Sequence, residues 1–172
     1  PSREAHFAAL EARSTGDGIT VLDLDYRAMF WDSAERAGAQ AQAALRLVTA
    51  AVGNREECEV AVGETEPSAV AKALQDAGVD LAVVKQGPAG VLGVRGEESV
   101  VVPPVQVEVI NGLGAGDAFG GALVHGLLRG WDLTRTLQFA NAAGAIVAGE
   151  FLCADAMPSE DQVDDVLARG RV

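Results

Sequence analysis

Apolar residues recur along the chain with two different spacings, and these spacings predict its secondary structure. Across the first 90 residues, short β-rich runs alternate with segments of helical periodicity. The predicted strands are 19–24, 45–51, 81–85, 90–95 and 99–102, the last two forming a hairpin. The predicted helices are 2–13, 33–45 and 67–77, with a polar turn or helix at 54–58. This alternation predicts an α/β fold, in which helices cover both faces of a largely parallel sheet.

The second half of the chain is predominantly helical. From Gly114, small and apolar residues trace one helical face as far as Leu128. Asp132 is placed to cap the next helix, because it stands immediately before a new apolar repeat. Ser159 and Gln162 have the spacing of a capping box, and this predicts a final helix.

Composition and charge narrow the functional classes. The 172 residues suit a single domain, and 49% are hydrophobic while 22% are charged, as in ordinary globular proteins. With 13 basic and 25 acidic residues the net charge is −12, which repels nucleic acids and anionic membranes. The two cysteines and two histidines lack the spacing of a zinc site or a disulfide framework. The cysteine usage fits a cytoplasmic protein, and the sequence leaves open whether the chain forms a homo-oligomer.

The most informative segment is the glycine-rich stretch 111–121, which reads N-G-L-G-A-G-D-A-F-G-G. It follows a strand-like run at 105–110 and opens a helix, so its first N–H groups and the helix dipole favour an anion. The dinucleotide fingerprint fails here, because Asp117 and Phe119 stand where glycine is needed. The Walker A pattern also fails, because Ala122 replaces its lysine. The segment predicts a phosphate site of another kind.

Four motifs together resemble the ribokinase/PfkB family of carbohydrate kinases. Gly-Ala-Gly-Asp-Ala-Phe at 114–119 is similar to the second signature of that family, and Asn54-Arg55-Glu56-Glu57 resembles its N-x-x-E motif. The segment 85–90 is similar to its strand–glycine turn, and 141–145 to its adenine-side helix. The resemblance implies a ribokinase-like fold, with 1–172 as one domain that forms the C-terminal, nucleotide-binding portion. The N-terminal half and the lid of such a kinase are not found in these residues.

The resemblance also implies the catalytic roles. Asp117 would be the general base, and the backbone of Gly114, Ala115 and Gly116 would bind the transferring phosphoryl group. Asn54 and Glu57 would hold Mg²⁺ through water and orient ATP. Two plainer interpretations stay open: Asp117 only favours the helix dipole, and Glu57 only belongs to an acidic first turn.

Binding residues follow from the same resemblance. Lys85, Gly87, Gly90 and Asn141 are nucleotide-side candidates. Otherwise Lys85 simply emerges at a strand end, the glycines shape a turn, and Asn141 is a polar residue on a helix face. Arg27 would meet a substrate carboxylate as a bidentate donor, or else pair with a neighbouring aspartate.

A narrower pattern indicates the acceptor. Asp23-Leu24-Asp25-Tyr26-Arg27 with Trp31, and Val52-Gly53-Asn54, resemble the family members that phosphorylate 5-dehydro-2-deoxy-D-gluconate in inositol breakdown. Asp25 departs from this pattern, since many relatives have asparagine there. The alternatives are another sugar kinase, such as a 2-keto-3-deoxygluconate kinase or a fructokinase, and a non-catalytic nucleotide-binding module. The N-terminal half would carry much of the sugar site, so this chain alone is not assured of activity.

A monovalent cation is the remaining cofactor that the family suggests. Its ligands lie just before Gly-Ala-Gly-Asp and in the loop after the adenine-side helix. Here Asn111 stands in place of an aspartate, and Ala156 lies where a hydroxyl is expected. These departures put dependence on a monovalent cation in doubt.

Overall fold

Five strands form one sheet, seen in a computed structural model that describes residues 2–14 and 16–172. The strands are β1 Val21–Asp23, β2 Ala50–Asn54, β3 Leu81–Lys85, β4 Val91–Arg95 and β5 Glu98–Val102. They are hydrogen-bonded in the order β1-β2-β3-β4-β5. The pairings β1–β2 and β2–β3 are parallel, while a two-residue turn joins β4 and β5 as a hairpin. The predicted α/β class is confirmed.

Seven α-helices accompany the sheet in the described part of the chain. They are α1 Ser2–Ser14, α2 Ala34–Leu45, α3 Arg55–Val62, α4 Pro67–Asp76, α5 Ala115–Leu128, α6 Leu133–Ala148 and α7 Glu160–Arg169. Short 3₁₀ turns occur at Ala28–Phe30, Gly87–Ala89 and Ala154–Ala156. Within residues 2–14 and 16–172, no helix has the length and apolarity that a bilayer crossing needs.

Helix starts follow the capping residues that the sequence indicates. The Ser33 side chain accepts from the N–H of Arg36 at the start of α2. Asp132 caps α6 in the same way. Ser159 and Gln162 form the expected capping box of α7, in which each side chain bonds to the backbone of the other residue. The predicted caps at Asp132 and Ser159 are confirmed.

Two apolar runs that predict strands differ from the observed strands, the first in its bounds and the second in kind. The apolar run 45–51 contains only the start of β2, because Leu45 is the buried last residue of α2 and the strand begins at Ala50. The run 105–110 forms one isolated bridge, between Gln106 and Arg171, instead of a strand. Its last N–H, on Ile110, donates to the Ala148 carbonyl at the end of α6. A helix terminus therefore takes the bond that a neighbouring strand would have taken.

The chain divides into two compact units, and the first ends at Gln86 but also includes Leu92–Ser99. β2 and β3 are buried along almost their whole length. Leu45 of α2, Leu74 of α4 and Val84 of β3 belong to one hydrophobic cluster in this unit. The carboxyl ends of β1, β2 and β3 come into register, with Asp23 opposite Val52 and Asn54 opposite Lys85. This packing fixes a row of polar residues where the parallel strands end.

The second unit comprises Gly87–Val91 and Val100–Val172. Its core forms where α5 packs on α6 and α6 packs on α7. Leu123 and Leu137 are fully buried there. His125 stacks on Phe139 with ring centroids 5.5 Å apart, which accounts for a histidine on an apolar helix. These contacts pack α5 against α6 in the core of the second unit.

Candidate active site

The amino end of α5 is open because a glycine begins the helix. Gly114 is the N-cap residue, has φ +85°, and makes no side-chain cap. Most residues with a Cβ disfavour this left-handed conformation. The first regular helical bond runs from the N–H of Ala118 to the Gly114 carbonyl. The Ala115 N–H donates to the Gly112 carbonyl at 3.4 Å. Gly114 places no side-chain cap on the first turn, whose N–H groups are disposed to bind an anion.

Two close contacts hold that first turn in place. A Cβ built on Gly114 would lie 2.4 Å from the Cys153 Sγ, so the thiol fills the space that glycine leaves. A Cβ on Gly144 of α6 would lie 3.1 Å from the Ala115 carbonyl oxygen, which shows how closely α6 approaches this turn. The N–H donors are consequently fixed before any ligand arrives, as electrostatic stabilisation requires.

Asp117 is the acidic residue in the first turn of α5, and it is exposed to solvent. It lines a shallow cavity of about 270 Å³ together with Gly121 and His125 of the same helix and Glu160 of α7. A carboxylate beside open N–H groups can accept a proton while the donors hold a phosphoryl group. The arrangement therefore suits phosphoryl transfer to a hydroxyl.

A side chain just before the glycines ties their segment to a second loop. Asn111 Oδ1 accepts from the Leu113 N–H at 3.1 Å, and Asn111 Nδ2 donates to the Phe151 carbonyl at 3.2 Å. The Asn111 N–H also donates to the Ala148 carbonyl at 3.1 Å. The approach to α5 is thus anchored to the end of α6 and to the loop that follows it.

The nucleotide-side candidates of the second unit have distinct surroundings. Gly87 has φ +56° and open space around the position of a Cβ. Gly90 has φ +88°, and its Cβ would fall 2.0 Å from the Val102 carbonyl oxygen, so no other residue fits that turn. Asn141 donates through Nδ2 to the Pro103 carbonyl at 2.8 Å. Gly87 lies open to a ligand, whereas Gly90 and Asn141 shape the backbone.

In the first unit, Asn54 and Glu57 lie together at the start of α3. Asn54 Oδ1 accepts from the Glu57 N–H at 3.0 Å, and Glu57 Oε2 accepts from the Asn54 N–H at 2.6 Å. This reciprocal pair is a capping box, so the spacing of the motif has a structural role of its own. It also orients the Glu57 carboxylate at the carboxyl end of β2.

Lys85 completes a charge cluster at the ends of the parallel strands. Its Nζ lies 3.9 Å from Glu57 Oε2 and 3.9 Å from Asp23 Oδ2. Burial raises the pKa of Glu57, while the bond from the Asn54 backbone and the Lys85 charge oppose this rise. Lys85 therefore contacts a carboxylate from β1 and one from α3 at the edge where the parallel strands end.

Arg27 lies beyond β1 and pairs with its neighbour. Its Nε donates to Asp25 Oδ1 at 2.9 Å, and Asp25 has φ +31°, which is uncommon outside glycine. Asp25 also lines a cavity of about 570 Å³ in the first unit, together with Tyr26 and residues of α1, α2 and α3. Arg27 therefore pairs with a neighbouring aspartate, as the plainer interpretation predicts, and that aspartate, Asp25, lines a cavity large enough for a ligand.

The sequence missed two contacts within these sites. The motif Asp23–Arg27 includes Asp23, but only the parallel register of β1, β2 and β3 shows that it meets Lys85. Cys153 gave no signal, because its contact with Gly114 joins positions 39 residues apart. A parallel sheet brings the ends of its strands to one edge, and that rule could have pointed to Asp23.

Comparison with known proteins establishes the family. The model of the pfkB family of carbohydrate kinases matches residues 1–160 of the 172. The chain belongs to the pfkB family. Its N-x-x-E residues and its Gly-Ala-Gly-Asp turn are the capping box of α3 and the open end of α5.

Individual relatives are similar over about half their length. The chain is 30% identical over 169 residues to a 5-dehydro-2-deoxygluconokinase of Clostridium tetani, covering 95% of this chain and 50% of that protein. It is 30% identical over 172 residues to the 5-dehydro-2-deoxygluconokinase of Geobacillus thermodenitrificans, covering 97% and 51%. The crystal structure of aminoimidazole riboside kinase from Salmonella enterica, with aminoimidazole riboside and an ATP analogue, superposes with a TM-score of 0.86 at 26% identity, covering 98% and 58%. The pfkB chain described here spans about half the length of these relatives.

The residues of this pfkB chain fit the groups that its family implies. Open N–H donors at α5 suit the phosphates of ATP. Mg²⁺ prefers oxygen ligands and takes few from the protein. The capping bond and the contact with Lys85 both use Glu57 Oε2, which leaves Oε1 for a metal-bound water. In the described residues no group of three or more His, Cys, Asp or Glu is arranged around a metal position.

Proposed function

We propose that this chain forms the phosphoryl-transfer portion of an ATP-dependent kinase that acts on a hydroxyl of a sugar or sugar acid. The observation that carries the proposal is the open amino end of α5, where Gly114 leaves the N–H groups uncapped beside the Asp117 carboxylate. Glycine also begins ordinary helices, so the carboxylate of Asp117 in the same first turn is an essential part of this observation. Family membership supports the same activity.

The proposed reaction divides its work between the backbone and one side chain. The acceptor hydroxyl gives its proton to the Asp117 carboxylate as its oxygen attacks the γ-phosphorus of ATP. The bond between that phosphorus and the β–γ bridging oxygen breaks, and ADP leaves with the electron pair. N–H groups of the turn Gly114–Gly116 stabilise the charge that spreads over the phosphoryl oxygens.

The remaining candidates bind and orient in this proposal. Asn54 orients Glu57, and Glu57 holds Mg²⁺ through water. The ion, when bound, neutralises phosphate charge. Lys85, with its Nζ beside two carboxylates, acts on the nucleotide side. In the second unit Gly87 leaves room for the nucleotide, while Gly90 and Asn141 maintain the turn and the segment next to it.

We propose 5-dehydro-2-deoxy-D-gluconate as the acceptor. Two relatives at 30% identity are named for that substrate. Arg27 supports the choice, because its guanidinium can bind the carboxylate of a sugar acid in exchange for Asp25. A neutral sugar gives this arginine no equivalent partner.

Nucleotide binding and turnover test the proposal in the protein as expressed from its own gene. Adding Mg·ATP at a hundredfold excess over its Kd should stabilise the fold by about 2.7 kcal/mol, measured as a thermal shift. Phosphate transfer is then measured with 5-dehydro-2-deoxy-D-gluconate, 2-keto-3-deoxygluconate and fructose at equal concentrations. We expect the first acceptor to give the highest kcat/KM.

The outcomes separate the alternatives. If only fructose is phosphorylated, the proposed acceptor is wrong, while the proposed kinase activity is supported. Nucleotide stabilisation without any phosphorylated product would indicate a binding module. The absence of a shift with ATP, ADP and GTP would contradict the proposal as a whole.

A further inference from the structure

The Asn111 side chain makes two hydrogen bonds of opposite kind. Its Oδ1 accepts from a backbone N–H, that of Leu113, and its Nδ2 donates to a backbone carbonyl, that of Phe151. The backbone groups cannot exchange roles, so these contacts fix the orientation of the amide. The position therefore needs a short side chain with one acceptor and one donor.

Asparagine meets this requirement, and aspartate does not. An ionised carboxylate can accept from the Leu113 N–H, but it has no proton to give to the Phe151 carbonyl. Aspartate would therefore bring two oxygens, each carrying negative charge or partial charge, against each other. Such a pair of oxygen ligands is stabilised by a cation between them.

The bridge made by Asn111 acts directly on the open end of α5. It joins the segment that leads into Gly114 to the loop that carries Cys153. The Cys153 Sγ in turn lies where a Gly114 Cβ would be. A shift of this loop therefore moves the contact that holds the first turn of α5.

A monovalent cation does not fit the residues at these two segments. The Phe151 carbonyl already accepts an N–H from Asn111, and Ala156 offers no side-chain oxygen. We propose that Asn111 is a positioning residue whose neutral amide joins the two segments without an ion, so that the α5 site works independently of monovalent cations. This inference rests on the proposed function for its nucleotide readout only.

The experiment compares three proteins in three salts. Wild type, Asn111→Asp and the control Asn111→Leu are studied in choline, sodium and potassium chloride at equal ionic strength. Leucine has the same branched arrangement of side-chain heavy atoms as asparagine, although its methyl groups are larger, and it makes neither hydrogen bond and binds no ion. The melting temperature reports on the bridge, and calorimetric titration with Mg·ADP reports on the α5 site.

We expect wild type to bind Mg·ADP equally in the three salts, within about twofold. Asn111→Asp should bind about tenfold or more weakly in choline, because a carbonyl loses its donor and faces a charge. Sodium or potassium should restore both its affinity and its melting temperature with saturation. Asn111→Leu should be weakened alike in all three salts.

Three results would overturn the inference. One is a wild type whose affinity or melting temperature rises steeply with potassium. Another is an Asn111→Asp protein that matches wild type in choline, and the third is one that no cation restores, including one that stays unfolded in every salt. If wild type binds no nucleotide at all, the proposed function fails, while the melting temperatures still test the bridge.

Discussion

The amino ends of α3 and α5 present opposite solutions to the same problem. Each helix begins with N–H groups that lack partners within the helix. At α3, Asn54 and Glu57 close that end with a capping box. At α5, Gly114 gives no side-chain cap, and in the first turn the Gly112 carbonyl accepts a 3.4 Å bond from the Ala115 N–H.

The difference teaches how helix stability and ligand binding can be separated within one chain. A side-chain cap is worth about 1 kcal/mol relative to alanine but only a few tenths of that relative to glycine, so α5 loses little stability by doing without it. The α5 turn is held instead by Cys153 and by α6 at Gly144, which lie beside the donors without covering them. α3 has its cap, and the Glu57 carboxylate that makes it also meets Lys85.

The largest expected effect is on kcat, when a substitution removes the proposed base from the open end of α5. In the natural protein, Asp117→Asn should lower kcat by about 10²–10⁴-fold, because the amide cannot take the proton of the acceptor. Nucleotide affinity should change little, since the backbone donors of Gly114–Gly116 remain. Folding stability should move by about 1 kcal/mol at most, the effect of one charge at a helix end.

Steady-state kinetics, nucleotide titration and denaturant unfolding measure these three quantities. Glu160→Gln on α7, which shares the shallow cavity with Asp117, is the matched control and should retain a much larger share of kcat. Near-normal turnover in Asp117→Asn would show that Asp117 is not the base and only interacts favourably with the helix dipole.

The next effect disturbs the close packing at the open end of α5. Gly114→Ala should destabilise the protein by about 2–5 kcal/mol, because the left-handed backbone strains alanine and its Cβ would meet the Cys153 Sγ. Urea unfolding measures the loss. The double variant Gly114→Ala/Cys153→Ala should recover the part due to the thiol, and additive losses would show that the two positions do not interact.

A smaller effect on stability is expected when a substitution removes the side-chain cap of α3. Asn54→Ala removes the cap of α3 and should cost about 0.5–2 kcal/mol of unfolding free energy. Ser159→Ala at the capping box of α7 is a comparison outside the proposed site and should cost a similar amount. If Asn54→Ala impairs magnesium activation while Ser159→Ala does not, the α3 cap has a role besides stability.

The smallest effect concerns the charge of Glu57. Its pKa is raised, chiefly by burial, so the folded state holds the proton more tightly than the unfolded state. The stability that this group contributes is full below its ordinary pKa of 4.5 and is lost as pH rises through the raised pKa. Glu57→Gln keeps an acceptor oxygen without the charge.

The stability of Glu57→Gln relative to wild type should therefore increase as pH rises above 4.5. Denaturant unfolding at a series of pH values measures the difference. A difference that stays constant, or falls as pH rises, would contradict a raised pKa at this carboxylate.

Local signals made much of this fold predictable. Ser33, Asp132 and Ser159 mark helix starts because each bonds to a residue three positions away. The run 105–110 was wrongly predicted as a strand. Strand propensity does not reveal that its last N–H, on Ile110, donates to the Ala148 carbonyl. A single amino-acid sequence does not show which residues distant along the chain bond to each other.

The candidate sites divide in the same way. Gly114–Asp117 and the pair Asn54 and Glu57 were predicted as motifs, because their chemistry lies within four consecutive residues. The position of Lys85 between Asp23 and Glu57 depends on the register of three strands. The contact of Cys153 with Gly114 depends on how a loop packs, and no local pattern encodes that.

The thiol beneath Gly114 also has an evolutionary consequence. Because the two residues share one small volume, mutations at position 153 are constrained by position 114, and the reverse. An enlarged residue at 153 would have to be accompanied by movement of its loop or by changes in the residues that anchor it. We expect positions 111, 114 and 153 to covary as one unit among homologues, while the exposed Leu152 between the anchors drifts freely.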